Sequence, residues 1–328
     1  MKKAIKQTFA IICAIIMVFA CNFSALAISK IDSDDDLQIR YKQLTQYVED
    51  FLDLEEGKLS QPYELYDIND EVNALLFTIK DGGYIIINID NYDVPEYSLE
   101  SNTYYKLDGR RLYYDGPLNY YQQVSNNEIE NALTKSVVPK SVLESTEWYG
   151  ITSSYIETKA VTRVARVTQT ISGILPNYSY NPDGRCGAVA ASMWLRYYNN
   201  YYDTRYVPSD LETSDGKKLI IYMTDLIPLH AIPGTVLSGL REHLDEQGLN
   251  GADISMNNPS MALVASYVTS DKPFILGVRG HAELGDHYVT GYGYESAGGS
   301  NYAIVNDGHG ESGVRINMNS SGMQQMIG

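Results

Sequence analysis

Apolar and polar positions along this chain fall into blocks of different period. Leu37, Tyr41, Leu44, Val48 and Phe51 recur every three or four residues, the spacing of one face of an amphipathic helix, and Glu56-Gly57 ends it. The period then shortens. Glu64-Leu65-Tyr66, Ala74–Ile79 and Tyr84–Ile89 are short apolar runs, the last two flanking Asp81-Gly82-Gly83. Two such runs around a Gly-rich turn predict a hairpin. A second hairpin is predicted over Tyr104–Tyr114, turning at Asp108-Gly109. The helix and hairpins make a small α+β domain over residues 28–130.

Residues 131–168 break this pattern. Lys135, Lys140, Lys159, Arg163 and Arg166 are concentrated there among frequent Ser and Thr, so the stretch is expected to be an exposed linker open to proteolysis. Val161–Ala165 alternates and also admits a strand. Residues 169–328 form the second domain. A helix is predicted from Cys186 to about Tyr198, with Ala190, Met193, Trp194 and Tyr197 on one buried face. Another is predicted over Thr235–Gln247, capped by Thr235 and stopped by Gly248, and a short one over Ser260–Val268. Strands are predicted at Phe274–Val278, Tyr288–Tyr294 and Tyr302–Val305. Helices first and strands afterwards predict an α+β domain with helices on an antiparallel sheet.

The first 27 residues change the picture of where the protein works. Lys2, Lys3 and Lys6 precede an apolar run from Phe9 to Ala20, and Ala25-Leu26-Ala27 is a small-residue cleavage site, the layout of a secretory signal peptide. The apolar run is short for a membrane span. Lipoprotein processing at Cys21 is opposed by the bulky Phe19. The expected location is secreted or cell-surface. Cleavage after Ala27 removes Cys13 and Cys21, leaving Cys186 as the one cysteine. A lone thiol in an oxidising compartment is a liability unless chemistry needs it. Cleavage also removes three lysines and no acids, taking the net charge from −16 to −19. So acidic a protein is a poor partner for nucleic acid or anionic membrane.

Cys186 opens an apolar helix directly after the polar stretch Asp183-Gly184-Arg185. A helix N-terminus and a nearby imidazole both favour a thiolate. The base should be a histidine on another element. His230 and His309 sit in loops, His243 is expected on the solvent side of its helix, and His281 lies in a turn. His287 opens the strand that continues Tyr288-Val289-Thr290, where it can be held rigidly, and is preferred. A third group should orient the imidazole, and Asn306 at the end of the next strand is the candidate, with Asp307 as alternate. An oxyanion hole would combine the Cys186 N–H with a side-chain amide, Asn181 or alternately Asn177. No metal cluster or phosphate-binding loop is readable, so neither metal nor organic cofactor is expected.

The ordered segments Arg185–Ala191, Lys272–Val278, Asp286–Tyr292 and Tyr302–Gly310 together resemble the papain-like cysteine peptidase superfamily. The resemblance is nearest to streptopain-like enzymes and bacteriocin-leader-peptidase-like proteins, and Gly82–Ile87 through Pro95–Ser98 is similar to the streptopain propeptide. The resemblance implies a papain-like catalytic domain, with the Cys-bearing helix packed on a sheet that carries His and Asn or Asp. It also implies a thiol peptidase made as a zymogen, with a peptide or protein as substrate and its own pro-domain as inhibitor. The glutamine that usually precedes the cysteine is missing, and Asn181 or Asn177 would replace it. Two alternatives share the pattern: a non-catalytic surface-binding protein on this scaffold, and an acyl-transfer enzyme with the same triad.

Overall fold

The computed structural model describes residues 34–141, 166–181, 184–279, 286–319 and 322–328. The expected signal peptide, the middle of the expected linker and His281 lie outside the described residues. Among the described residues the chain is a mixed α and β protein with five α-helices and one large sheet. It divides into two units, 1–44 and 45–328. Helix α1 (Asp34–Leu52) begins in the first and ends in the second. No helix among the described residues is long and apolar enough to cross a membrane.

In the larger unit the N-terminal strands are β1 (Tyr63–Tyr66), β2 (Val72–Thr78), β3 (Tyr84–Asn88), β4 (Glu96–Ser98), β5 (Leu112–Tyr114), β6 (Tyr120–Gln123), β7 (Glu128–Asn131) and β8 (Val137–Pro139). After β9 (Val167–Thr170) come helices α2 (Cys186–Tyr201), α3 (Lys217–Leu226) and α4 (Pro233–Glu246), then β10 (Met256–Asn257) and α5 (Met261–Thr269). The chain ends with β11 (Phe274–Val278), β12 (His287–Ala297), β13 (Ser300–Asn306), β14 (Val314–Asn317) and β15 (Met323–Ile327). The sheet order is β10-β15-β11-β12-β13-β14-β4-β3-β2-β1-β5-β6-β7-β8, with β9 on β12. Every pairing is antiparallel except β1 with β5.

The pairing of β4 with β14, Arg315 opposite Tyr97, joins the expected pro-domain and the expected catalytic region in one ladder. A buried ion cluster crosses the same seam. Glu295 on β12 meets Arg315 Nε at 3.1 Å and Arg166 Nη1 at 3.1 Å. It also accepts from Thr168 Oγ1 at 2.9 Å and from the Tyr97 hydroxyl. A buried carboxylate needs such a set of partners.

Both ends of the expected linker are sheet. The β7–β8 hairpin runs past residue 130 to Pro139, and β9 pairs with the far half of β12. Three of its basic residues are engaged: Lys135 Nζ on the Ala132 carbonyl, Lys140 Nζ 2.8 Å from Asp70, and Arg166 on Glu295. Lys159 and Arg163 lie outside the described residues.

The second hairpin differs from its prediction. Its strands are β5 and β6, turning through 115–119, where the Asp115 N–H donates to the Asn119 carbonyl and the Asn119 N–H to the Gly116 carbonyl. Residues 104–107 are not a strand, because the Gln122 side chain takes the Lys106 N–H at 3.0 Å and its carbonyl at 2.5 Å, in place of a ladder. Helix α4 also starts earlier than predicted, with Pro233 as its first residue, and Thr235 Oγ1 donates to the Ile232 carbonyl instead of capping.

Side chains of β11 alternate between two cores, as strand geometry requires. Phe274, Leu276 and Val278 pack with α5 and with N-terminal residues such as Leu76 and Ile86. Ile275, with Tyr288 of β12, packs under α2, α3 and α4. Gly291 on β12 lies under the Phe274 ring, where a Cβ would come within 2.1 Å of it. All residues of α2 are buried except Arg196, Asn200 and Tyr201. Its small first turns follow from that burial: Gly187 lies against Ile227, Val236 and Ala231, and a Cβ there would press to 3.2 Å from the Ile227 and Val236 side chains.

Candidate active site

Cys186 is the first residue of α2 and is buried. Among the described residues it is a free thiol. Its sulfur meets the start of β12: S–H donates to the Asp286 carbonyl at 3.3 Å, and the Tyr288 N–H also lies against it. The main-chain groups on both sides of His287 therefore touch the candidate nucleophile. Burial pushes the thiol up to about 11, and the surrounding N–H groups only partly oppose this.

His287 is buried, opposite Val278 in the β11–β12 ladder. Its Nε2 donates to the main-chain carbonyl of Asp307 at 2.9 Å. A carbonyl can only accept, so Nε2 carries the proton and Nδ1 is the basic nitrogen of the neutral ring. Burial holds the imidazole down at about 4.

The group that meets His287 Nε2 is thus the backbone of residue 307, not either of the two side chains expected there. Asn306 is buried and gives its amide to the Pro176 carbonyl at 2.9 Å. The Asp307 carboxylate closes its own loop, accepting from the His309 N–H at 2.9 Å and the Glu311 N–H at 3.0 Å, as aspartate does in turns. It also accepts from the Tyr104 hydroxyl. Burial raises it to about 6.

Asn181 donates through Nδ2 to His309 Nε2 at 3.1 Å. Asn177, the alternate, donates to the Gly310 carbonyl at 2.6 Å. A Cβ on Gly308, whose φ is +78°, would lie 3.7 Å from Asn181 Nδ2, 3.4 Å from Val189 Cγ1 and 3.8 Å from the Tyr288 carbonyl. Gly308 thus lies between the Asn181 amide, the first turn of α2 and β12.

Two residues at the site escaped sequence reasoning. The His309 ring stacks on His287 at 5.3 Å between centroids, tilted by 24°. Tyr104, from the N-terminal region, packs edge-on to His309 at 6.2 Å. Nothing in a glycine-flanked histidine or in one tyrosine among 28 signals these contacts. His243, expected on a solvent face, is fully buried, with Nε2 2.8 Å from the Tyr206 carbonyl. His230 is exposed at φ +52°, its ring over Gly184. Among the described residues no three His, Cys, Asp or Glu side chains gather into a metal-binding group.

No protein-family model matches the chain, and the comparison with curated proteins returns no match.

Proposed function

We propose that the chain is an exported thiol peptidase, held latent by its N-terminal region. The observation that carries this reading is the sulfur of Cys186 at the head of α2, set against the main chain on both sides of His287. With Nε2 tied to a carbonyl, Nδ1 of His287 is the nitrogen able to take the thiol proton. The thiolate then attacks a peptide carbonyl, and the same imidazole returns the proton to the leaving amine. Water releases the acyl group from sulfur. Main-chain N–H groups at the start of α2, together with Asn181, would face the oxyanion.

Latency is supported by the charges. Moving a proton from a thiol at about 11 to an imidazole at about 4 costs on the order of 10 kcal/mol, before ion-pair attraction returns part of it. Burial is the first cause of both shifts, and the N-terminal region contributes to the cover. Tyr104 bonds Asp307 and packs on His309, and Asn119 Nδ2 donates to the Arg279 carbonyl just after β11. Proteolysis within 142–165, followed by displacement of the N-terminal strands, would let water and substrate reach the pair. A papain-like arrangement of Cys, His and Asn or Asp is the finer fold reading that goes with this proposal.

A second reading is favoured by the continuous β4–β14 ladder: a permanent two-part binding protein whose thiol stays buried. One experiment separates the two. Residues 28–328, wild type and Cys186→Ala, are incubated with mixed peptides before and after a protease nicks the connector, and products are read by mass spectrometry. New peptide termini from nicked wild type alone support the proposal. Identical product sets from both proteins reject it, and joined peptides in place of free termini indicate acyl transfer.

A further inference from the structure

We infer that His309 is a positioning residue for both halves of the candidate site, fixing the imidazole of His287 through its ring and the amide of Asn181 through its Nε2. The inference rests on the peptidase reading for its chemistry, but the placement stands on contacts alone. The His309 ring lies nearly parallel on His287, 24° from coplanar at 5.3 Å. A flat neighbour at that separation limits how far the His287 ring can turn about its own Cβ–Cγ bond. The Nε2–H to Asp307 carbonyl bond fixes one end of that ring, and the stack fixes its plane.

The same His309 accepts the Asn181 amide at 3.1 Å. An amide nitrogen carries two hydrogens. One is used here, and the other remains for a substrate oxygen. This bond is the one side-chain hydrogen bond of Asn181 among the described residues, and Asn181 Oδ1 is buried without a partner there. The direction of the amide therefore depends on His309.

In the un-nicked chain His309 is anchored from three sides, and the contacts to Asp307 and to the segment before α2 do not depend on the N-terminal strands. Its N–H is held by Asp307 Oδ1, Tyr104 packs on its edge, and the loop around it is clamped to the segment leading into α2. That clamp includes Asn177 Nδ2 on the Gly310 carbonyl and close packing of Gly310 on Ser179. Accepting from Asn181 requires a neutral His309 with its proton on Nδ1. Burial first, then His287 and Lys135, hold it down at about 3. His309 acts by shape and by one acceptor, and it does not titrate in the working range.

Three variants of the full chain separate the two jobs. His309→Phe keeps a flat ring and loses the acceptor. His309→Gln keeps an acceptor and loses the ring. His309→Ala loses both. The pH profile of Cys186 alkylation by iodoacetamide reports the thiol and its imidazole but needs no oxyanion donor. Peptide hydrolysis by the nicked chain reports both.

In His309→Phe the alkylation profile should overlay wild type while kcat falls about tenfold or more with KM little changed, since an oxyanion donor is worth roughly 10²–10³ in rate. His309→Gln should shift the alkylation profile, and His309→Ala should show both losses. Wild-type kcat in His309→Phe overturns the Asn181 half of the inference. Alkylation profiles of His309→Gln and His309→Ala that overlay wild type overturn the His287 half. If no form cuts peptide, wild type included, the peptidase reading has failed, and the alkylation profiles still decide whether His309 positions His287.

Discussion

Glu96 offers the sharpest test of how the N-terminal strands are held. It lies on β4 with no exposed surface, and β4 is the strand that pairs with β14. Its carboxyl accepts from the Leu118 N–H at 2.9 Å, from the Tyr84 hydroxyl at 3.1 Å and from the Tyr120 hydroxyl. Tyr105, Tyr114 and Asp307 also face it electrostatically. Burial outweighs the hydrogen bonds and raises the group from 4.5 to about 7. The folded chain therefore holds this proton more tightly than the unfolded chain. The resulting stability is complete below pH 4.5 and is lost as pH rises through about 7, and the loss amounts to about 3 kcal/mol.

Glu96→Gln removes the titration and keeps the shape. Its amide satisfies the two tyrosines or the Leu118 N–H less well than the carboxyl does, a cost of about 1 kcal/mol at any pH. The variant should thus be about 1 kcal/mol less stable than its parent at pH 4.5 and about 2 kcal/mol more stable at pH 8, with the sign changing between. Urea unfolding in a Cys186→Ala background, which prevents self-cleavage, measures this difference at each pH. A stability difference of one sign and size at both pH values would refute the reasoning, because it would mean that Glu96 ionises as freely in the folded chain as in the unfolded one.

Other outcomes follow from the same geometry. With its thiol at about 11, Cys186 in the un-nicked chain should alkylate slowly at pH 7, where only about 10⁻⁴ is thiolate, and about tenfold faster per pH unit upward; a flat rate between pH 7 and 9 contradicts the buried neutral thiol. Tyr104→Phe removes the hydroxyl from Asp307, so the un-nicked chain should cut peptide about five- to tenfold faster if one hydrogen bond of about 1 kcal/mol helps to hold the cover shut; unchanged turnover rules out that role. Asn306→Ala should cost about 1–2 kcal/mol in urea through the lost Pro176 bond, yet leave the alkylation profile in place; a shifted profile would restore Asn306 as the orienting group. Gly291→Ala drives a methyl into the Phe274 ring and should cost about 2–3 kcal/mol, recovered in part by adding Phe274→Leu; full stability of the single variant would contradict the packing of β12 on β11.

The elements most legible in the sequence were those whose local pattern and tertiary use coincide. Leu37 to Phe51 read as a helix because one face is apolar at helical spacing, and α1 spans that stretch. The β2–β3 hairpin was marked by apolar runs around Gly82-Gly83, which adopt φ of +105° and +106°, a region that side chains avoid. The short helix expected over Ser260–Val268 is α5, which Ser260 caps through the Leu263 N–H at 3.2 Å. Where the two diverge, sequence reasoning missed. Tyr104–Leu107 has strand composition, but a distant glutamine takes its backbone. Helix α3 was overlooked because its apolar residues Leu219, Ile220 and Met223 follow a lysine pair and a glycine N-cap with no side-chain signal.

The chain by itself determined that Cys186 would open an apolar helix and that His287 would open a strand, because helix starts and strand patterns depend on neighbours within a few residues. Which groups surround that pair was decided by tertiary structure. The carbonyl of residue 307 faces His287 because the turn after β13 is closed by its own aspartate. His309 reaches both His287 and Asn181 because glycines at 308 and 310 take positive φ and let the loop fold back on the segment before Cys186. Tyr104 arrives from some 200 residues away, carried there by a loop whose flanking strands pair with different neighbours, β4 with β14 and β5 with β1. Those contacts join residues far apart in sequence, and their stability comes from burial and hydrogen bonding that exist only once the sheet has closed around them.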